Sequence, residues 1–183
     1  MKSGNCYKLP ITLNEKSFKY FIIYDSKTKQ HRFKTIVALT VCLFMLSTFC
    51  FASVESFKHA DIIGCILVAF SVIIPTGYFN AFNRTIKAQI AKMQLTKPRH
   101  VYTVHLYHGT KGVELYYPNE KQASATYTWD SIHGAWRSKK AIYLYVTETQ
   151  AILIPDYMTK TPDELWNFLG KELDKKRMHR PKF

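Results

Sequence analysis

Two uncharged apolar runs stand almost back to back in this chain, Thr35–Val54 (TIVALTVCLFMLSTFCFASV) and Ile62–Phe82 (IIGCILVAFSVIIPTGYFNAF). Only the seven residues Glu55–Asp61 separate them. Each run has the roughly 20 residues that an α-helix needs to cross bilayer hydrocarbon. A core helix of a soluble domain keeps a polar stripe, and neither run has one. Their polar groups are small hydroxyls (Thr35, Thr40, Ser47, Thr48, Ser71, Thr76), one Tyr, one Asn and thiols. Hydroxyls bond the backbone of their own helix and are tolerated in lipid. A cleaved leader is not expected, given the depth of the first run, its lack of a small-residue cleavage pattern and the second run behind it. The expectation is a transmembrane hairpin. Pro75 removes one backbone hydrogen bond from its second helix and is expected to kink it.

The flanking charges orient that hairpin. Lys27, Lys29, Arg32 and Lys34 precede it, and Arg84, Lys87, Lys92, Lys97 and Arg99 follow it. The loop carries Glu55, Lys58 and Asp61. Lys and Arg stay on the cytoplasmic side, so both termini of this multi-pass chain are expected there. Lys34, Arg84, Lys87 and Lys92 form a juxtamembrane basic set that snorkels to the headgroups, with the second helix running on until Pro98 ends it.

The net charge of +13 divides as +6 over residues 1–34, −1 over 35–83 and +8 over 84–183. Beside membrane spans, basic flanks answer to topology and to anionic headgroups. No nucleic-acid partner is expected, because the aromatics alternate with Val, Leu and Ile as they do in strands and do not interleave a basic patch. Cys6, Cys42, Cys50 and Cys65 lack C-x-x-C spacing, and neither metal nor disulfide is expected of them.

The segment from His100 onward reads as β structure. Period-two alternation marks Val101–Tyr107, Val113–Tyr117, Ala123–Trp129, Ile132–Arg137, Ala141–Val146 and Ala151–Ile154, with turns at 108–112 and 118–121 between the first three. Thr161-Pro162-Asp163-Glu164 then reads as a capping box with proline at the first helical position. Leu165, Phe168, Leu169 and Leu173 share a face of the helix it starts, Trp166 and Phe168 are expected in the core, and Lys175, Lys176 and Arg177 suit the helix C-terminus. The expected fold class is α+β: a two-helix transmembrane hairpin and a cytoplasmic antiparallel β domain, a pleckstrin-homology-like barrel, closed by a C-terminal helix. The expected divisions are 1–34 (N-terminal strand and amphipathic helix), 35–82 (spans 35–54 and 62–82), 83–99 (juxtamembrane helix and linker) and 100–183 (β domain). Two placements stay open for the N-terminal segment. Tyr7–Leu13 pairs with the β domain and Asn14 caps a helix Glu15–Tyr24 packed towards it, or that helix lies flat among the headgroups with Lys16 and Lys19 outward.

With Tyr7–Glu15 and Phe18 and Phe21 ahead of a two-span hairpin, Tyr127–Ile132 (YTWDSI), Ala141–Val146, Ala151–Pro155 and a terminal helix, the chain resembles the YcxB-like family of bacterial membrane proteins. The resemblance implies a bacterial plasma-membrane protein with a pleckstrin-homology-like cytoplasmic domain. It implies no activity and no catalytic residues.

Reactive constellations are sparse. His105 and His108, with His100 and His133, form the best metal candidate. On a strand 105 and 108 face opposite sides, and no acid or thiol joins them at ligand spacing, so no metal site is expected. Asp130, Ser131 and His133 lack the Gly-x-Ser-x-Gly elbow of a nucleophile and read as a turn. No phosphate loop or dinucleotide fingerprint occurs. No catalytic residue, cofactor or small-molecule substrate is expected. Trp129 reads as core. Trp136, with the basic turn Arg137, Lys139 and Lys140, is the candidate surface for a headgroup or a partner. The expected function is a membrane-anchored interaction or regulatory module, binding a protein partner or a second copy of itself. The alternatives are an anionic-headgroup sensor and a subunit of a transport or enzyme complex. No ionisable residue inside either span offers an ion path.

Overall fold

The computed structural model describes residues 2–3, 6–29, 31–53, 55 and 58–180, the side chains of Lys2, Ser3 and Lys29 excepted. Val54, which ends the first expected span, loop residues 56 and 57, the termini 1 and 181–183 of the expected divisions, and the Lys29 side chain lie outside it. The chain forms two compact units, residues 18–94 and residues 1–17 with 95–183.

The helical unit holds most of α1 (Glu15–Tyr24), a π-helical turn (Asp25–Lys29), α2 (Arg32–Ala52) and α3 (Ala60–Lys92). α2 and α3 are long and apolar enough to cross a membrane, each holding an 18-residue stretch of mean hydropathy 2.2. Their apolar side chains point outward. Phe44, Met45, Phe49, Val72 and Ile73 are all more than half exposed. The hydroxyls turn inward on their own helices: Thr40 donates to the Ile36 carbonyl at 2.9 Å, Ser47 to Phe44 at 2.7 Å and Ser71 to Val68 at 2.7 Å. α3 runs through Pro75 and stops at Lys92, six residues short of Pro98. The stop is a left-handed residue, Gln94 at φ 54°, while the Met93 N–H donates to the Gln89 carbonyl at 2.9 Å. This is a C-terminal left-handed cap, and the proline expected to end the helix plays no part in it.

The strand-rich unit contains two sheets. One has the order β1-β2-β3-β4-β5: β1 (Lys2–Ser3), β2 (Cys6–Leu13), β3 (Arg99–Tyr107), β4 (Val113–Tyr116) and β5 (Ala125–Tyr127). The other has the order β8-β7-β6-β9: β6 (Gly134–Arg137), β7 (Ala141–Tyr145), β8 (Ala151–Pro155) and β9 (Met178–His179). All pairings are antiparallel except β6 with β9. The expected barrel is not a closed ring of hydrogen bonds; the described strands stay in two sheets.

β2 pairs with β3, as the first of the two placements of the N-terminal segment has it, while Phe18 and Phe21 of α1 belong to the helical unit and not to the strand-rich one. The pairing runs from Cys6↔Tyr107 to Leu13↔Arg99, with a bulge between Ile11 and Thr12. The alternation of CYKLPITL buries Leu9, Ile11 and Leu13 and leaves Lys8 and Pro10 outside. Asn14 then caps α1: the Ser17 N–H donates to Asn14 Oδ1 at 2.8 Å. The chain leaves and re-enters the unit side by side, the Glu15 N–H donating to the Leu95 carbonyl at 2.9 Å. The two sheets are pinned by Tyr102, whose hydroxyl donates to the Leu153 carbonyl at 3.0 Å and accepts from the Leu153 N–H at 2.9 Å. Burial pushes that hydroxyl far above the ordinary tyrosine range.

α4 (Pro162–Glu172) closes the end of the sheets opposite Leu13 and Arg99. Phe168 meets Tyr7 at 4.8 Å, His108 at 4.5 Å and Trp129 at 6.0 Å between ring centres. Leu165, Phe168, Leu169 and Leu173 are buried as expected, but Trp166 is only half-buried. Two further expectations fail here. Thr161 Oγ1 donates to Glu164 Oε2 at 3.1 Å, so the two side chains bond each other and Thr161 makes no side-chain cap. Lys175–Arg177 is a separate 3-10 turn, not the end of α4. It leads into β9, which runs parallel to β6. Gly134 permits that approach, since a Cβ there would sit 2.6 Å from the Arg177 carbonyl oxygen.

Candidate functional site

Strand alternation sets His105 and Tyr107 of β3 and Glu114 and Tyr116 of β4 on the outer face of the larger sheet. His105 pairs with Glu114 across the strands, and Lys8 and Cys6 of β2 pair with His105 and Tyr107. Glu114 is only 8% exposed although it points outward. Tyr116 covers it and donates its hydroxyl to Oε2 at 2.8 Å, while Lys111 Nζ lies 3.5 Å from Oε1 and 4.0 Å above the Tyr107 ring. His105 Nδ1 is 3.3 Å from the Tyr107 hydroxyl.

The electrostatics of this network follow from that crowding. Burial alone would raise the Glu114 carboxyl, but hydrogen bonds from Tyr116 and Tyr107 and the Lys111 charge outweigh it and hold the group below its usual value. Burial and the Glu114 carboxylate push Tyr107 up to about 12. Burial, with Lys8 beside it, lowers His105, and burial raises the Cys6 thiol. At neutral pH the network is an ionised carboxylate inside protonated phenols, with a protonated thiol and a neutral imidazole. It holds an anion and does not present a nucleophile with its base.

Two histidines make the stability of the strand-rich unit depend on pH. His105 and, in β9, His179 both have lowered values caused first by burial. The unfolded chain therefore takes up their protons first. The stability they contribute is full above about 6.5, the ordinary histidine value, and is lost as pH falls from there towards their depressed folded values. We expect the urea midpoint of the full chain to fall between pH 7 and 5. A double His105→Asn, His179→Asn variant should flatten that slope, and an unchanged slope would refute the assignment.

Beside the network a cleft of about 570 Å³ opens at the sheet end where Leu13 and Arg99 pair. Lys8, His100, Thr103, His105, Tyr117 and Lys121 line it. The β4–β5 turn forms one wall, with Asn119 left-handed at φ 71° and the Ser124 hydroxyl accepting from the Tyr117 N–H at 3.1 Å. The opposite turn, Ser138–Lys140, belongs to the same end. The Asp156 N–H donates to the Lys140 carbonyl at 2.9 Å, and Tyr157, next in the chain, donates its hydroxyl to the Thr12 carbonyl at 2.8 Å. Lys97, Arg99, His100, Lys121, Lys139 and Lys140 are exposed around this end, with Glu15 and Glu120 as its exposed acids.

The sequence-stated surface residues divide. Lys139 and Lys140 are exposed in that turn. Arg137 is not available to an external anion: its guanidinium donates to Asp156 Oδ1 at 2.5 Å, and its side chain is 11% exposed. Trp136 is half-buried in a stack, 5.9 Å from His133 and 4.3 Å from His179, with Tyr145 edge-on at 4.7 Å. Lys34, Arg84, Lys87 and Lys92 are exposed on α2 and α3. The histidines of the metal candidate part company: His108 Nδ1 bonds Glu172 at 2.6 Å, and no group of three metal-ligating side chains gathers among the described residues. Asp130 and Ser131 lie in a 3-10 turn, where Ser131 donates to the Thr128 carbonyl at 2.8 Å and Arg177 donates to the Asp130 and Ile132 carbonyls. Trp129 is core and donates to the Tyr107 carbonyl at 3.0 Å.

Residues 119–156, from the β4–β5 turn through β8 to Asp156, match the family model described as YcxB-like protein. The resemblance drawn from Tyr127–Ile132, Ala141–Val146 and Ala151–Pro155 therefore holds over this stretch. The helical unit and the N-terminal strand lie outside the matched residues. No curated protein and no solved structure matches the chain.

Proposed function

We propose that this is a two-span protein of a bacterial plasma membrane, with both termini cytoplasmic, whose strand-rich unit is a non-enzymatic regulatory module reading the anionic surface of its own bilayer. One observation carries the reading. α4 closes one end of the sheets, and the chain passes to two apolar helices from the other, where the polar cleft and the basic turns gather. The meanders β2-β3-β4-β5 and β6-β7-β8 followed by α4 resemble a pleckstrin-homology-like arrangement, with the helical hairpin inserted between β2 and β3. Fold likeness alone assigns no ligand; the charge at the open end supports headgroups. Contact at roughly 1 kcal/mol per well-placed Lys or Arg adds to an anchor that already holds the domain at the surface.

The test uses the full chain in lipid nanodiscs, since residues 96–183 alone lack β2. Amide exchange at 117–124 and 138–140 should slow over anionic lipid relative to neutral lipid. The difference should vanish at high salt and in a Lys121→Ala, Lys139→Ala, Lys140→Ala variant. Equal exchange over both lipids would overturn headgroup reading and turn attention to the same module binding a protein partner or a second copy.

A further inference from the structure

The cleft beside the Glu114 network has a chemistry of its own, distinct from the spread of charge around that end of the sheets. Lys8 of β2, Thr103 and His100 of β3 and Lys121 of the β4–β5 turn all line it, so donors enter one space from three elements. Both lysines are exposed, and neither forms an ion pair among the described residues. The acids nearby are already engaged. Glu114 accepts from Tyr116 and is faced by Lys111. The Glu120 carboxylate accepts from the Ser124 hydroxyl, whose oxygen accepts from the Tyr117 N–H, so Glu120 is fastened to its own turn.

A third donor follows from counting hydrogens. Thr103 Oγ1 and His100 Nε2 lie 3.3 Å apart and share one hydrogen. A hydroxyl and a neutral imidazole bring two. Whichever tautomer His100 adopts, the pair keeps one hydrogen to give elsewhere. His105 adds no fixed charge at neutral pH, since burial lowers it. The cleft therefore offers two ammonium groups and one neutral donor. Its volume of about 570 Å³ is several times what a bare phosphate fills, and Tyr117 and Pro118 give the surplus an apolar wall.

We infer that the cleft is a site for a phosphate monoester, with Lys8 and Lys121 on two of its terminal oxygens, the Thr103–His100 pair on the third, and its organic part against Tyr117 and Pro118. A monoester carries close to two negative charges at neutral pH and three terminal oxygens. A diester carries one charge and two such oxygens, and would leave one lysine and one donor unused. A membrane offers the monoester as the headgroup of phosphatidic acid, and solution offers it as glycerol 3-phosphate. The membrane source rests on the reading proposed above; the soluble source does not.

The full chain in neutral nanodiscs is the sample, and amide exchange at 117–124 is the readout. Phosphatidic acid or phosphatidylglycerol is introduced at equal surface charge, so that diffuse attraction is the same for both. In a second arm glycerol 3-phosphate or its diester counterpart, glycerophosphoglycerol, is added from solution. The monoester should slow exchange about tenfold more than the diester in at least one arm, and the arm that responds identifies the source. Lys8→Gln and Lys121→Gln should each weaken that response about tenfold, the loss of one charge-assisted hydrogen bond, or about 1.4 kcal/mol. Lys139→Gln, outside the cleft, should leave the monoester preference unchanged. Equal response to monoester and diester in both arms, or a preference that survives Lys8→Gln, overturns the site. The membrane-surface reading fails separately. Phosphatidylglycerol protecting as well as phosphatidic acid, with no preference in solution, keeps that reading and removes the site. A response to glycerol 3-phosphate with none to either lipid keeps the site and removes that reading. No response to any of the four overturns both.

Discussion

Removal of residues 1–13 is expected to abolish the strand-rich unit, although most of its residues lie beyond position 94. β2 pairs along all but one residue of β3 and contributes Leu9, Ile11 and Leu13 to the core, exposed by 8%, 0% and 3%. Each buried aliphatic side chain is worth about 1.5–3 kcal/mol. Three of them approach the whole stability of an ordinary domain, about 5–15 kcal/mol. The truncated unit would also present an open β3 edge to other chains. A single substitution isolates the effect. Ile11→Asp puts a carboxylate where no partner exists and should cost more than about 4 kcal/mol. Pro10→Asp, one residue away on the outer face, should change stability by less than about 0.5 kcal/mol. Urea unfolding of the full chain, followed by the fluorescence of Trp129, Trp136 and Trp166, checks both. A cooperative transition retained at wild-type strength in Ile11→Asp would show that β2 is an accessory strand.

The second large effect is expected at Gly112. Its backbone, φ 72° and ψ −130°, lies in a region that residues with a side chain essentially never adopt. An added Cβ would also stand 2.1 Å from the Tyr127 carbonyl oxygen and 2.9 Å from Thr128 Cα, both backbone atoms that cannot swing aside. Gly112→Ala therefore combines strain with a collision and should cost about 3 kcal/mol or more. Gly109, three residues earlier at φ 73°, is the matched control, because nothing stands within 4 Å of its added Cβ. Gly109→Ala carries conformational strain alone and should cost about 1 kcal/mol. The difference between the two unfolding midpoints is the readout. Equal shifts would mean that the Tyr127 backbone gives way.

The periodic elements were legible because their periods were unbroken. Alternation located β3, β4, β7 and β8 to within two residues, and the face shared by Leu165, Phe168, Leu169 and Leu173 located α4. The misplaced features are those set by long-range geometry. Trp129 keeps the phase of Tyr127, yet β5 has ended before it and the tryptophan enters the core from a 3-10 turn. β9 is two residues in a basic stretch with no alternation to read, and it exists because Gly134 lets the chain lie against β6. At the candidate surface, Lys139 and Lys140 were visible as charge. The capture of Arg137 by Asp156, across a turn and a strand, was not. Glu114 escaped notice because its alternation reads as solvent-facing; the Tyr116, Tyr107 and Lys111 side chains gathered around its carboxylate are not visible in the alternation.

The adjacency of β2 and β3 also fixes an order of events during synthesis. Leu13 and Arg99 are neighbours in the sheet although 86 positions separate them in the chain. At the usual 5–20 residues per second, roughly 4–17 s pass between the emergence of the first strand and the emergence of its partner. Throughout that interval the ribosome is delivering the two apolar helices, and β3, along which β2 pairs, has yet to be made. The strand-rich unit can mature only after the entire hairpin has been made, so completion of the one is a timer for the other.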